Sequence, residues 1–191
     1  MLINIIANWN NIELLAVIFS ICYVILAAKK KITCWFFAII SVSLYIYICY
    51  LEKLYAETIL QFFYLIMAFY GLKTWNKEKS LKINDWKIST HLIIFIIGSV
   101  LTFISGFTLS YFTDSSLPTI DSFTTIFSII ATYMVIKRVI SNWLYWIIID
   151  LVSIYIYDYK GLYLTALLFI IYAIIAVFGY FNWIKISAQN D

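Results

Sequence analysis

Residues 12–75 of this chain align without a gap to residues 120–183, a shift of 108 positions. The 64 aligned pairs contain 21 identities, and these are not limited to the abundant Ile, Leu and Tyr. The rarer matched residues are Trp35 with Trp143, Trp75 with Trp183 and Gly71 with Gly179. An apolar composition raises the number of accidental matches, but it would not keep Trp and Gly positions through three consecutive segments. The pattern therefore indicates an internal duplication.

The composition places the chain in a membrane, because 64% of the residues are hydrophobic and only 12% are charged. A membrane-spanning helix needs about 20 largely apolar residues, since its backbone polar groups must be paired internally. Seven segments meet this condition: 12–28, 34–50, 56–72, 90–108, 122–136, 141–157 and 162–180. The sequence therefore predicts an all-α protein with seven transmembrane helices.

The fourth segment lies outside the duplication, which predicts a 3+1+3 arrangement of helices. Residues 12–75 are the first three-helix repeat, residues 76–119 a cytoplasmic loop with a linker helix, and residues 120–183 the second repeat. Four crossings separate the starts of the two repeats, so both start on the same side and are parallel. Parallel repeats related by an axis along the membrane normal occur in transporters, which hold substrate between them. We therefore expect a substrate cavity at this axis.

Basic residues accumulate in cytoplasmic loops, and seven crossings divide the 13 basic residues 11 to 2. The eleven are Lys29, Lys30, Lys31, Lys73, Lys77, Lys79, Lys82, Lys87, Lys137, Arg138 and Lys185. The split predicts an outer N-terminus and a cytoplasmic C-terminus. The first segment lacks both a preceding basic residue and a small-residue cleavage site, so no removable signal peptide is expected. The lysine-rich stretch 73–87 is interpreted as a cytoplasmic loop beside lipid headgroups, not as a nucleic-acid patch.

The remaining motifs predict no metal or nucleotide site. Cys22, Cys34 and Cys49 lack metal-ligand spacing and are interpreted as packing residues. His91 is interpreted as an interfacial residue, and no glycine-rich Walker sequence is present. We therefore expect no cofactor.

The sixth segment carries the sharpest functional candidates, and both break the duplication. Asp150 lies seven residues after Trp143, about 10 Å deeper at the helical rise and near the middle of the bilayer. An ionisable residue at that depth is costly and is by default a functional candidate. Its repeat partner is Val42, and Trp146 has Ala38 as its partner. The alternatives are that Asp150 bonds a Ser or Thr of the bundle and that Trp146 is a packing residue.

One face of the sixth segment combines aromatic and acidic groups, namely Trp143, Trp146, Asp150, Ser153 and Tyr157. Such a face suits an organic cation or an electron-poor heteroaromatic ring through cation–π attraction and stacking. The third segment offers a second face with Glu57, Gln61 and Tyr64, whose partners are Thr165, Phe169 and Tyr172. Thr124 is an asymmetric polar residue of the fifth segment. The four matched tryptophans are expected to form an interfacial belt.

The Trp143, Trp146, Asp150 spacing resembles the Trp-x-x-Trp-x-x-x-Asn/Asp motif of the PnuC-type vitamin transporters. Gln61 with Tyr64, the Tyr70–Gly71 ending and the 161–166 stretch are similar to that family as well, and the resemblance covers about residues 9–185. The family position equivalent to Asp150 accepts Asn or Asp. Ser41 replaces an Asn that some members have in the second helix.

The resemblance implies a fold related to full-length SWEET transporters, a homotrimer, and uptake of nicotinamide riboside, an NAD precursor, across the bacterial inner membrane. It also implies facilitated diffusion, with flux sustained by phosphorylation of the substrate in the cytosol. Trp143, Trp146 and Gln61 would surround the nicotinamide, and Asp150 with polar neighbours would bind the ribose. The substrate-binding candidates are Trp143, Trp146, Asp150, Gln61, Tyr64, Glu57, Thr165 and Thr124.

Three alternatives stay open, one of which is a structural or signalling membrane protein, in which changes at Asp150 and Trp146 would alter stability but not transport. Thiamine is also cationic and heteroaromatic, and related family members carry it, so the aromatic and acidic face does not discriminate between the two vitamins. A more distant alternative is an intramembrane enzyme that uses Asp150 and Asp121 as paired acids. The two acids are expected at different depths, which argues against a shared catalytic water.

Overall fold

The computed structural model describes residues 11–51, 53, 55–77, 82–113 and 116–189. Seven helices follow one another in this part of the chain: α1 (Asn11–Ala28), α2 (Cys34–Leu51), α3 (Tyr55–Lys77), α4 (Ile88–Phe112), α5 (Pro118–Ile136), α6 (Asn142–Tyr159) and α7 (Tyr163–Ala188). Each predicted segment overlaps one of these helices. Several helices extend further than predicted, because hydropathy marks only the part that lies in hydrocarbon while the helix continues into the interface.

Five of the seven described helices are long and apolar enough to cross a membrane, namely α1, α2, α4, α5 and α7. The other two, α3 and α6, are more polar. Helix α3 contains Glu57 and Gln61, and α6 contains Asp150 and Asp158. The two helices that hydropathy distinguishes least well are thus the two that carry most of the candidate site residues, as expected where polar side chains serve a function.

Contacts divide the chain into two units, Met1–Ser80 and Leu81–Asp191. In the first unit α2 packs against both α1 and α3. In the second unit α4 packs against α5, α5 against α6, and α6 against α7. Helices α2 and α6, which the 108-residue shift equates, therefore occupy the same middle place among their neighbours. The linker helix α4 belongs to the second unit.

Equivalent helices of the two units end in the same backbone conformation. Lys30 after α1 has φ 53°, and Arg138 after α5 has φ 56°. Lys53 follows α2 with φ 60°, and Gly161 follows α6 with φ 72°. Both pairs are 108 residues apart. Non-glycine residues rarely adopt this left-handed region, which commonly ends helices. The similarity of the two repeats therefore extends from the sequence to the turns.

Each unit closes around a pair of buried tryptophans. The ring centroids of Trp35 and Trp75 are 5.5 Å apart with planes at 90°, and those of Trp143 and Trp183 are 5.5 Å apart with planes at 89°. None of the four side chains is more than 2% exposed. The expectation of an interfacial belt was wrong, because the edge-to-face contact within each pair draws both rings into the helix packing.

A glycine makes room for each tryptophan pair, and replacing it should destabilise the protein. A Cβ atom on Gly179 would come within 2.7 Å of the Trp143 ring, and one on Gly71 within 2.5 Å of Trp35. Gly179→Ala should therefore cost about 1–3 kcal/mol by overpacking. Thermal unfolding in detergent measures the change. Phe178→Ala, at an exposed neighbouring position, is the control; a smaller loss for Gly179→Ala than for this control would contradict the expectation.

Candidate functional site

One face of α6 turns into the interior of the second unit. Trp143, Asp150 and Ser153 are buried, and Trp146 and Tyr157 are partly buried. The three- and four-residue spacing places all five on one side of the helix, as the sequence predicted. The opposite side of α6 is exposed and carries Leu144, Ile148 and Leu151, as suits contact with lipid. Helix α6 therefore turns Trp143, Trp146 and Asp150 away from that side.

Asp150 is the most costly group on this face. It is the ninth residue of the 18-residue helix α6 and is 2% exposed. Among the described residues, no hydrogen bond or ion pair reaches its carboxyl group, so the predicted alternative of a Ser or Thr partner is not observed. Burial of a carboxyl group without a partner is strongly unfavourable. Asp150 is therefore the position at which a cationic or hydroxyl-bearing ligand would contribute most.

Trp146 lies one helical turn from Asp150 on the same face. Its partly buried indole packs against a hydrophobic cluster of Phe127, Ala131 and Ile149. The equivalent residue of the first unit, Ala38, is buried with only a methyl group. The second unit thus places a large aromatic ring near its buried acid, whereas the equivalent positions of the first unit hold Ala38 and Val42.

Trp143 is enclosed in the helix packing, with 2% of its surface exposed. It packs on Gly179 and Trp183 in the same way that Trp35 packs in the first unit. In the described part of the chain the indole Nε1 of Trp143 and that of Trp35 have no hydrogen-bond partner. The shared arrangement assigns Trp143 to helix packing. Its contact with substrate stays a prediction.

The break in symmetry at Gln61 has a structural counterpart in the second unit. Phe169, which is equivalent to Gln61, stacks on Tyr157 with ring centroids 5.2 Å apart and planes at 12°. The residues equivalent to this pair in the first unit are Cys49 and Gln61. One unit therefore fills the place with two stacked rings, while the other has a thiol and a partly buried amide. Sequence comparison identified Gln61 but did not predict the stack.

The other predicted site residues are less enclosed. On α3, Glu57 is exposed and Tyr64 is partly buried. Thr124 is partly buried on α5, and its hydroxyl donates to the backbone carbonyl of Asp121 at 2.9 Å, within its own helix. Thr165 is partly buried in the first turn of α7. The α3 residues belong to the first unit and the two threonines to the second.

The acids of the enzyme alternative differ in their surroundings. Asp150 is buried in the middle of α6, whereas Asp121 lies in the first turn of α5. The ammonium group of Lys160 bonds both carboxylate oxygens of Asp121, at 3.1 and 3.2 Å. Asp121 is thus engaged in an ion pair and does not share its environment with Asp150. This geometry gives no support to a paired-acid mechanism.

Sequence reasoning assigned no partner to His91, and the structure places it in a polar network. Its ring nitrogens lie 3.1 Å from the Tyr145 hydroxyl and 3.1 Å from the Ser141 hydroxyl. Both hydroxyl residues break the duplication, since their partners are Phe37 and Thr33. This mismatch was the signal available in the sequence, but it identifies no partner without the tertiary structure.

Comparison with known proteins connects this site to a family. The sequence profile of the family described as nicotinamide mononucleotide transporter matches residues 10–185. The nicotinamide riboside transporter PnuC of Neisseria mucosa is 28% identical over 197 residues, which cover 92% of this chain and 73% of that protein. The Escherichia coli protein of the same name is 28% identical over 208 residues, covering 94% and 87%.

A solved structure agrees with these relatives. The crystal structure of the vitamin B3 transporter PnuC superposes with a TM-score of 0.77 at 27% identity, and the match covers 94% of this chain and 83% of that one. The resemblance to the PnuC-type transporters is thereby confirmed. This all-α chain belongs to the nicotinamide mononucleotide transporter family, a family of multi-pass membrane transporters that includes the PnuC proteins.

Proposed function

We propose that this protein carries nicotinamide riboside across the bacterial inner membrane. The single observation that supports this most is the buried Asp150 carboxyl group, which has no partner among the described residues and lies one turn from Trp146. Nicotinamide riboside has a cationic aromatic ring and a ribose with hydroxyl groups. The ring suits an indole and an acid through cation–π attraction, and the hydroxyls suit a carboxylate acceptor. The relatives that share 28% identity are named for the same compound.

Substrate contacts are proposed for both units. In the second unit Trp146 and Asp150 are the main contacts, supported by Trp143, Thr124 and Thr165. In the first unit the proposed contacts follow α3, where Gln61 is the leading residue and Tyr64 and Glu57 are its neighbours by helical spacing. The amide of Gln61 can donate to and accept from the carboxamide of the nicotinamide.

We propose facilitated diffusion, with flux sustained by phosphorylation of the substrate in the cytosol. A carrier of this kind only equilibrates its ligand, so a reaction that removes the free riboside keeps uptake running. Phosphorylation also adds negative charge, which a site containing Asp150 disfavours through like-charge repulsion. The product would then leave poorly by the same route. An acid at the centre of the site thus suits both entry of the cation and retention of its phosphate ester.

The phosphorylated compound, nicotinamide mononucleotide, is the compound for which the family is named. Binding of a phosphate group generally uses Arg or Lys. In the described helices, lysines occur only within the last two turns, as at Lys73, Lys77 and Lys185. The buried centre of α6 offers a carboxyl group instead. This favours the riboside over the mononucleotide.

Thiamine is the second candidate, since a cationic heteroaromatic ring suits the Trp146 and Asp150 pair equally well.

We further propose the 3+1+3 SWEET-like arrangement of parallel repeats, with the N-terminus outside and the C-terminus in the cytoplasm, and a homotrimer. The orientation is supported by the 11 to 2 division of basic residues. The trimer is supported by the family resemblance.

Uptake into proteoliposomes tests the proposed function. Purified protein should accumulate radiolabelled nicotinamide riboside down its gradient, and unlabelled riboside inside the vesicles should accelerate exchange. Nicotinamide mononucleotide and thiamine should both compete at least about tenfold more weakly than unlabelled riboside. The phosphate of the mononucleotide would be repelled, and thiamine would leave polar groups of the site unpaired. Uptake of thiamine but not of the riboside would refute the assignment. Transport that requires a proton or sodium gradient would refute facilitated diffusion.

A further inference from the structure

A chain of three side-chain hydrogen bonds joins the segment before α4 to the start of α6. The Tyr145 hydroxyl lies 3.1 Å from Nδ1 of His91, and Nε2 of His91 lies 3.1 Å from the Ser141 hydroxyl oxygen. The Ser141 hydroxyl in turn donates to the Asp85 carboxylate. We call these four residues, Asp85, His91, Ser141 and Tyr145, the histidine clasp. All four belong to the second unit.

Proton counting gives the clasp a direction. Ser141 has one hydroxyl proton, and Asp85 accepts it. The Ser141 oxygen must therefore accept from Nε2–H of His91. When the imidazole is neutral, the other nitrogen is an acceptor, and Tyr145 then donates its hydroxyl proton to Nδ1. A serine nucleophile would instead donate to histidine, so this order of bonds is not that of a catalytic triad.

Asp85 also caps α6 from outside the helix. Ser141 is the N-cap residue of α6, but its side chain makes no capping bond. The Asp85 carboxylate accepts the Ser141 backbone N–H at 3.3 Å and that of Trp86 at 2.9 Å. A negative charge at a helix start is favourable, because unpaired N–H groups point there. The position of the first turn of α6 thus depends on a segment 56 residues earlier in the chain.

Backbone contacts hold that earlier segment in place. The Ile140 N–H donates to the carbonyl of Asn84 at 3.0 Å, and the two segments form an isolated β-bridge. Ile83 is buried, and the Ser187 hydroxyl donates to its carbonyl at 2.9 Å. Trp86 covers the imidazole of His91, with ring centroids 6.1 Å apart. The clasp is therefore braced from the turn before α6 and from the end of α7, and it is not a chance surface contact.

Two residues of the clasp differ from their equivalents in the first unit. Its Ser141 and Tyr145 replace Thr33 and Phe37 of the first unit, and a Phe ring cannot donate the hydrogen bond that Tyr145 makes. The residue after Tyr145 is Trp146. The asymmetry of the clasp therefore lies directly beside the asymmetry of the candidate binding face.

We propose that Asp85, His91, Ser141 and Tyr145 are positioning residues that hold the rotation of α6 about its axis and so orient Trp146 and Asp150 for substrate. This inference rests on the proposed transport of nicotinamide riboside. The clasp fixes both the backbone N–H of Ser141, the N-cap residue of α6, and the side chain of Tyr145 one turn further along. Two such points on a rigid helix determine where the rest of its face is directed. The effect on binding follows without any contact between clasp and ligand.

The test compares Tyr145→Phe, His91→Ala and their double variant with the natural protein. Ser141→Ala is tested as well, and Thr33→Ala, at the equivalent position of the first unit, is its matched control. Equilibrium binding of nicotinamide riboside to the full chain should weaken about threefold to tenfold in each clasp variant and not in the control. The double variant should bind no more weakly than His91→Ala, because coupled positions are not additive. Hydrogen exchange of residues 141–150 should accelerate about tenfold.

The outcomes separate the two proposals. If the natural protein binds the riboside and all clasp variants bind it equally well, the clasp has no positioning role although the proposed function stands. A lower unfolding temperature with unchanged affinity leads to the same conclusion. If the natural protein does not bind the riboside, the proposed function fails. In that case, unchanged hydrogen exchange at residues 141–150 in the clasp variants would refute the proposal that the clasp positions α6. Faster exchange in the clasp variants, but not in the control, would support it.

Discussion

The substitution Asp150→Val should weaken binding of nicotinamide riboside by about a hundredfold or more, and should at the same time raise the unfolding temperature of the empty protein. Asp150 is 2% exposed and has no partner among the described residues. Loss of the carboxylate removes charge-assisted contacts to the substrate, each worth about 1.5–3 kcal/mol. It also removes a buried polar group, and burial of such a group costs about 1–3 kcal/mol. The substitution reproduces Val42, the residue at the equivalent position of the first unit.

Opposite signs for function and stability make this a demanding test. Binding to detergent-purified protein and thermal unfolding of the same sample measure the two quantities. Leu151→Val, at the adjacent exposed position, is the control and should change neither. Asp150→Asn keeps the acceptor but not the charge, so its loss should be smaller, about threefold to tenfold. A destabilised Asp150→Val protein with full affinity would show that Asp150 is structural.

Trp146→Ala should reduce the affinity for the riboside by about tenfold to a hundredfold, since stacking on an aromatic side chain contributes about 1–3 kcal/mol per base. The variant reproduces Ala38, the residue at the equivalent position of the first unit. Because Trp146 is partly buried against Phe127 and Ala131, some loss of stability is expected as well. Equilibrium binding together with thermal unfolding separates the two effects.

Two further variants distinguish ligand contact from packing. Trp146→Phe keeps an aromatic ring in the cluster and should retain more affinity than Trp146→Ala at nearly natural stability. Trp143→Phe should lower the unfolding temperature more than it lowers affinity, because Trp143 packs on Gly179 and Trp183. Unaltered binding in Trp146→Ala would mean that the aromatic part of the site lies elsewhere. Full loss of binding at unchanged stability in Trp143→Phe would make Trp143 the main aromatic contact.

The helices were predictable because their constraints are local. A helix in hydrocarbon pairs its own backbone groups and must be long enough to cross, so apolar runs locate it. All seven predicted segments overlap a described helix. Helix α7, which ends at Ala188, continues eight residues past the predicted boundary at Tyr180, because hydropathy does not mark where a helix ends in the interface.

Candidate site residues on one helix were predictable for the same reason. The spacing of Trp146 and Asp150 places them on one face of any regular helix, and the mismatch with Ala38 and Val42 distinguishes them from the repeated scaffold. The burial of Asp150 agrees with this reasoning. The matched tryptophans show where it fails. Residue type and depth predict that such a ring lies at the interface, but they do not reveal whether it faces lipid or a glycine on the next helix.

The sequence alone thus predicts the helical membrane class, the seven helices, the repeat and the face of α6 that carries Trp146 and Asp150, because each depends on composition, periodicity or self-comparison. The tertiary structure decided which of these residues are packed and which are left without partners. It also decided that Asp85, 56 residues from Ser141, caps α6 through the histidine clasp. Such contacts join distant segments, and their distances depend on helix packing that no local pattern specifies.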